Sequence, residues 1–289
     1  MIDIAVIASI PHLGRLSTLG SIDMALTHLV LDHPAYAEHF RSRSRAGVQV
    51  ILDNSAYELE ESTGAGMSAS PVLHAAERIG AHVVVCQDVL FDGPATISAT
   101  QQFLKEAHKH SEGESPYKFM AVPQGRTRQE WMSCYEQLVA LPEIDVIGLS
   151  KLSVARSFEA PVAEARLECM AALLTRDAPK PFHLLGGDRS LPWELARHQR
   201  MGHDEAENGG VQSNDSSFAF WYAAMDISVD SGGRARREAG SKPDLVAGTL
   251  TDERLSHALV NVAQLRRAAG LPECNPSSEP GGVIWQPQQ

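Results

Sequence analysis

The 289-residue sequence has only four cysteines, Cys86, Cys134, Cys169 and Cys274, and no two of them form a CxxC or CxC pair. That scatter excludes a readable disulfide framework or thiolate zinc site and leaves reduced, buried thiols as the reading. Long apolar runs are missing too. No stretch approaches the ~18 uncharged residues of a membrane span, so no membrane partner is expected. The segment MIDIAVIASIPHLG lacks the basic flank and cleavage pattern of a secretory signal, which points to the cytoplasm. Positive charge is scarce: 25 Lys and Arg face 36 Asp and Glu, a formal charge of −11. This excludes generic adhesion to nucleic acid, because non-specific affinity comes mostly from cations neutralising phosphates. Any polynucleotide contact must then be local. Candidate clusters are Arg41, Arg43 and Arg45, Arg126 and Arg128, and Arg234, Arg236, Arg237 and Lys242. A solvated surface is the commoner role for each, and the third is the best candidate because DSGGRARREAGSK reads as a Gly-Ser-rich loop.

What is present is a series of short apolar runs, each followed by polar residues and recurring roughly every 30 residues. Ile2 to Ile10, Val48 to Leu52, Ala81 to Cys86, Tyr117 to Val122, Ile144 to Gly148, Phe182 to Leu185 and Gly210 to Ser213 read as buried strands. Helical stretches fall between them: Pro34 to Gly47, Ser70 to Ile79 with Ser70 as cap, Pro94 to His110, Thr127 to Leu141, Ala160 to Thr175, Leu191 to Arg200 and Ser216 to Met225. The spacing suits right-handed βαβ units, and seven of them predict a single (β/α)8 barrel over residues 1–270. The eighth strand is expected at Asp226 to Val229 or Leu245 to Ala247. Asp252 to Ala269 reads as a closing helix capped by Thr251 and stopped by Gly270, and residues 271–289 read as a disordered tail.

In parallel α/β folds the strand carboxyl ends converge on one face, where chemistry is done. The residues that reach that face here are Asp53, Asp88, Gln124, Gly148 to Ser150, Gly186 to Asp188 and Asp215. Each has a plain alternative. An aspartate after a strand is often a cap or turn former, Gly186-Gly187 is a tight bend or a phosphate-binding turn, and Tyr57 is often a half-buried packing residue. His108 and His110 sit at a polar helix end and read as solvated, so no metal is expected.

Taken in order, D-N-S-A-Y (53–57), Q-D (87–88), V-P-Q-G (122–125), G-L-S (148–150), L-L-G-G (184–187) and N-D-S (214–216) resemble the motifs of the tRNA-guanine transglycosylase superfamily. The resemblance covers Val48 to Met225. It implies a modified TIM barrel that exchanges guanine for a 7-deazaguanine without a cofactor. By position it implies that Asp215 is the nucleophile and Asp53 the general acid/base. Tyr57 would stack on the base, and Asp88 and Gln124, with Gly125, would read its edge. Gly148 and Leu149 would offer main-chain groups, and Leu185 and Gly186 would close the opposite face. The chemistry is coherent. Displacing a purine passes through an oxocarbenium-like state that a carboxylate can trap, and a second carboxyl group manages the proton.

The chain departs from the tRNA enzymes in lacking their C-x-C-x-x-C and histidine zinc site, and in having Asn54-Ser55-Ala56 where they carry glycines after the first aspartate. A short, zinc-free, acidic member looks more like the phage and bacterial branch that inserts 7-deazaguanines such as 7-cyano-7-deazaguanine into DNA. The resemblance therefore implies DNA and a free 7-deazaguanine base as partners, with Arg234, Arg236 and Arg237 gripping the backbone, and the host cytoplasm as location if a phage encodes the chain. A homodimer is left open. The alternatives are the same chemistry on tRNA, a barrel enzyme acting on a small phosphorylated metabolite at Gly186-Gly187, and an inactive barrel serving as an assembly subunit.

Overall fold

Short β-branched runs with helix-length spacers bury both strand faces most simply by parallel pairing through helical crossovers. The computed structural model describes residues 1–59, 65–111, 115–174, 180–201, 210–240 and 242–273. Its strands are β1 (Asp3–Val6), β2 (Asp23–Leu26), β3 (Val50–Asp53), β4 (Val83–Val85), β5 (Lys118–Ala121), β6 (Ile144–Ser150), β7 (Phe182–Leu185) and β8 (Val211–Ser216). They form one eight-stranded parallel sheet in the order β1-β8-β7-β6-β5-β4-β3-β2. Helices alternate with the strands, so the fold is the expected (β/α)8 barrel. At the seam, β1 and β2 share no ladder. Ile4 spans it: its carbonyl accepts from the Ser21 and Ile22 amides at 2.9 and 3.3 Å, and its amide donates to Ser21 Oγ at 2.9 Å.

The helices are α1 (Leu13–Leu16), α2 (Thr27–Asp32), α3 (Pro34–Arg45), α4 (Ala69–Ile79), α5 (Gly93–His110), α6 (Arg128–Val139), α7 (Lys151–Ser157), α8 (Val162–Leu174), α9 (Leu191–Met201), α10 (Phe218–Ala224) and α11 (Asp252–Ala268). Four of their starts are set by a side-chain acceptor: Asp92 for α5, Thr127 for α6, Ser150 for α7 and Thr251 for α11. The expected cap at Ser70 is displaced. Helix α4 begins at Ala69 after Ser68, whose side chain makes no capping bond. Gly270 stops α11 in the left-handed region, at φ 75°.

Strand side chains alternate, and the two faces fill two cores. Ala5, Met24, Ile51, Val83, Val85, Met120 and Val122 pack inside the barrel with Ile22. Ile4, Val6, Leu52, Val84, Ala121, Ile147, Leu149 and Leu184 pack outward against the helices. Each buried Val, Leu, Ile or Met contributes about 1.5–3 kcal/mol, and each Ala less. The same parity decides which polar residues can reach the barrel mouth: with Ile51 and Met120 inward, so are Asp53, and on β6 to β8, Gly148, His183, Leu185 and Asp215.

The strand missing from the sequence reading is β2, not a strand after residue 216. Asp23-Met24-Ala25-Leu26 has no β-branched residue, and its aspartate is buried against Arg43 at 2.7 Å. Neither expected eighth strand is one. Val229 makes a single antiparallel bridge to Ala235, and the Leu245 carbonyl accepts from the Ile10 amide at 2.9 Å. Of the expected tail, Leu271 packs against the core, and residues 274–289, with Cys274, lie outside the described residues. Cys86, Cys134 and Cys169 are free and buried. Among the described residues no helix is long and apolar enough to cross a membrane.

Candidate active site

The strand carboxyl ends open into a cavity of about 370 Å³, within the size range of small-molecule sites. Asp53, Tyr57, Asp88, Leu185, Gly186 and Asp215 line it, as do His28, Asn54, Glu58, Ser150, Lys151 and the segment Lys242 to Val246. Gln124, Gly125, Gly148 and Leu149 do not. Leu149 points outward by strand parity and is buried in the outer core. Gly148 lies inside the barrel, where an added Cβ would stand 2.7 Å from Leu185 Cδ1 and 3.1 Å from Met120 Sδ, so its smallness serves packing. Gly125 is tied to α7: its amide donates to Ser153 Oγ at 3.2 Å and its carbonyl accepts from Ser157 Oγ at 2.8 Å.

Asp215 is the penultimate residue of β8, and two groups meet its Oδ1. The Gly186 amide and His183 Nε2 both approach Oδ1 at 3.0 Å. His183 is fully buried, and its Nδ1 lies 2.7 Å from Ser213 Oγ. A tautomer with Nε2–H donating to the carboxylate and Nδ1 accepting from the serine satisfies all three groups. Oδ1 is thereby anchored, and the rest of the carboxylate is turned to the cavity.

Gly186 is held from behind. Arg166, fully buried, forks onto Glu194 with both contacts at 2.7 Å and donates to the Leu149, Leu185 and Gly186 carbonyls at 3.1–3.3 Å. Burial alone would raise the Glu194 carboxyl, yet the Arg166 guanidinium and then His198 bring it below its ordinary value. Gly186 itself has φ 69°, and an added Cβ would meet Lys151 Cδ at 3.0 Å, two reasons for glycine there. With its amide committed to Asp215 and its carbonyl to Arg166 and Asn214, this turn differs from the main-chain cup that a phosphate loop presents.

Asp88 follows β4 and is aimed by two amides. Asn54 Nδ2 donates to Oδ1 at 2.8 Å and Gln124 Nε2 to Oδ2 at 2.5 Å. Gln124 is fully buried, and its Oε1 accepts from the Phe91 amide at 3.1 Å. Both ends of that side chain are occupied, so Gln124 orients Asp88 instead of facing a ligand. A carboxylate has about four lone-pair sites, so Asp88 keeps acceptor capacity toward the cavity. Burial pushes its carboxyl up to about 6, against the pull of the Asn54 and Gln124 amides.

Asp53 accepts from the Ser55 amide at 2.7 Å. Burial first, then the charges of Glu58, Asp215 and Asp88, hold its carboxyl well above the ordinary range, a condition suited to carrying a proton. Ser55 adopts φ 62°, a left-handed conformation that costs a non-glycine residue roughly 1 kcal/mol, and His28 Nδ1 sits 2.8 Å from its hydroxyl. This is where the tRNA enzymes' pattern has glycine.

Three lining groups, Glu58, Lys151 and Asn54, and His183 behind them had no role in the sequence reading. Glu58 beside Tyr57 carries a buried Oε2 without a hydrogen bond, and burial, followed by Asp215, raises its carboxyl while Lys242 and Lys151 pull it down. Lys151 follows the G-L-S segment directly, His183 shares a strand face with Leu185, and Asn54 appeared only as a departure from the family pattern. The Tyr57 ring seats two cations. Lys151 Nζ lies 4.3 Å and Lys242 Nζ 4.4 Å from its centroid, and a ring face under an ammonium is closed to a base. The expected arginine grip is partly spent: Arg234 pairs with Glu164 at 2.7 Å and lies 4.1 Å over Trp193, while Arg236 and Arg237 are exposed. Among the described residues no group of three or more His, Cys, Asp or Glu is placed to hold a metal ion.

No protein-family model matches the sequence, and no curated protein is recognisably similar to it. In backbone the chain is similar to the glycoside hydrolase family 30 subfamily 8 xylanase Xyn30A from Clostridium acetobutylicum, with a TM-score of 0.38 and 12% identity over 74% of this chain and 63% of the xylanase. It is similar to an enolase of the mandelate racemase subgroup from Agrobacterium tumefaciens, with a TM-score of 0.30 and 15% identity over 72% of this chain and 62% of that one. The chain thus spans less than two thirds of the length of either protein, and neither likeness bears on the reaction.

Proposed function

We propose that the protein is a base-exchanging glycosyltransferase, a DNA guanine transglycosylase that replaces guanine with a 7-deazaguanine. The observation that carries this reading is the convergence of Asp215, Asp53 and Asp88 on one cavity with three different environments: one anchored at a single oxygen, one held toward its protonated form, one aimed by two amides. Different environments for neighbouring carboxyls are how acid, nucleophile and recognition roles are separated.

In this reading the target nucleotide is flipped from the duplex into the cavity. Asp88 accepts from guanine N1 and N2, whose adjacent donors match a carboxylate. Asp215 attacks C1′ of the deoxyribose, the bond from C1′ to the base breaks with its electron pair going to the base, and Asp53 supplies the proton that the departing guanine takes up. A covalent aspartyl-glycosyl intermediate remains. A 7-deazaguanine then occupies the same pocket, gives its ring N–H proton to Asp53 and displaces Asp215. His183 and the Gly186 amide keep Asp215 oriented throughout, and Gln124 does the same for Asp88. Arg236 and Arg237 remain available for the DNA backbone.

The test is incubation with duplex DNA or tRNA and labelled guanine, followed by denaturing analysis for protein bound to nucleic acid. Label should enter DNA and not tRNA, and a covalent adduct should form that Asp215→Asn cannot make, with exchange falling on the order of a thousandfold or more. Exchange confined to tRNA would change the polymer. Absence of exchange and adduct with both would overturn the proposal.

A further inference from the structure

Lys151 is a residue that the exchange chemistry leaves unused. It is half-buried, lines the cavity, and carries an ammonium with three donors. Among the described residues no acceptor hydrogen-bonds to that ammonium, and its described contact is the Tyr57 ring at 4.3 Å. Burial and then the charge of Arg166 lower its pKa, against the opposing pull of Asp215, Glu58 and Asp188. An ammonium that lines a cavity without a protein acceptor keeps its donors free for a ligand. Lys242 brings a second ammonium to the same ring at 4.4 Å, anchored by donation to the Tyr57 carbonyl at 2.8 Å. Two cations fixed around one aromatic spacer, beside a group of carboxylates that would otherwise repel an anion, make a selective anchor for a ligand with its own negative oxygens.

We propose that Lys151 and Lys242 form a phosphate subsite at the cavity mouth, which holds the phosphate attached to the sugar whose base enters the pocket. The assignment rests on the reading of the cavity as a nucleotide site. It makes the substrate a phosphorylated nucleotide within a strand instead of a free nucleoside, and it gives Tyr57 the role of holding the two ammonium groups apart. Contact with phosphate supplies Lys151 with the acceptors it lacks, and the carboxylates nearby restrict the favourable position to the lysine side.

Calorimetric titration of the intact protein with deoxyguanosine, its 3′- and 5′-monophosphates, and inorganic phosphate tests this without requiring turnover. One monophosphate should bind about tenfold or more tightly than deoxyguanosine, the effect of one charge-assisted contact, and Lys151→Met should remove that preference. Equal binding of nucleoside and both monophosphates, or a preference untouched by Lys151→Met, would overturn the subsite. Inorganic phosphate binding as tightly as the nucleotides would also overturn it, in favour of a free-phosphate site. If Lys151→Met fails to fold, a DNA strand with an uncharged methylphosphonate flanking the target guanosine serves with wild-type protein: binding should weaken about tenfold, and unchanged binding refutes the idea. The outcomes separate from those of the parent proposal. An Asp215 adduct without phosphate preference sinks only the subsite, and phosphate preference without adduct sinks only the exchange reaction.

Discussion

Replacing Gln124 with leucine isolates the arrangement that aims Asp88. The substitution removes one of two side-chain amides on that carboxylate, a bond at 2.5 Å, and the acceptor for the Phe91 amide, without touching the cavity lining. A hydrogen bond to a charged group is worth about 1.5–3 kcal/mol, and 1.36 kcal/mol corresponds to one pKa unit, so the carboxyl should rise by about one to two units. It starts at about 6 because burial already raises it. The sign follows directly: the ionised form accepts from guanine, so base binding is present above the folded pKa and is lost as pH falls through it. Loss on acidification should set in below about pH 6 in the wild type. In Gln124→Leu it should set in about one to two units higher, so that binding near neutrality falls by roughly 2- to 10-fold and recovers in alkali. Titration of free guanine or a 7-deazaguanine into each protein across pH reads this without any turnover. An acid limb that stays in place, or a loss of affinity uniform across pH, would refute the reasoning, and a thermal melt separates either from a folding defect.

Three other expectations concern the parts behind the cavity. His183→Leu removes one of two donors to Asp215 Oδ1, so kcat for exchange should fall about 10- to 100-fold with KM little changed, and His183→Gln, which keeps an N–H donor, should recover part of it in steady-state kinetics. Gly186→Ala forces a side chain into a left-handed conformation and against Lys151, and should cost about 1–2 kcal/mol, a drop of a few degrees in Tm by calorimetry. Arg166→Met leaves Glu194 buried with only His198 beside it, at 3.5 Å, and should cost about 3–5 kcal/mol in denaturant unfolding, whereas adding Glu194→Leu should restore much of that stability.

The barrel was legible because its strands are buried on both faces and end in polar residues, and the carboxylates Asp53, Asp88 and Asp215 stood out for the same reason. Strand β2 was not legible because tertiary pairing, not propensity, makes Asp23-Met24-Ala25-Leu26 extended. Gln124 resembled a ligand contact, yet its direction depends on Phe91 and Asp88, both distant enough in sequence to leave no local signal. Period-2 alternation contained more than was drawn from it. It separates inward His183 and Leu185 from outward Leu149, and applied at β7 it exposes the histidine behind Asp215. Glu58 and Lys151 had no such signature, since a charged residue in a turn or at a helix start looks the same whether it faces water or a cavity.

The gap in the ladder between β1 and β2 has a mechanical meaning. Asp215 belongs to the strand beside β1 and Asp53 to the strand beside β2, so the short way round the barrel from one carboxylate to the other crosses the place where the ladder gives way to the bonds of Ile4 with Ser21 and Ile22 and to the packing of Ala5, Ile22 and Met24. Elsewhere each strand pairs with the next, with register shifts at β5–β6 and β7–β8. The distance between the two groups is therefore set across the break in the ladder and not along it, with each group's own supports on its own side of the joint.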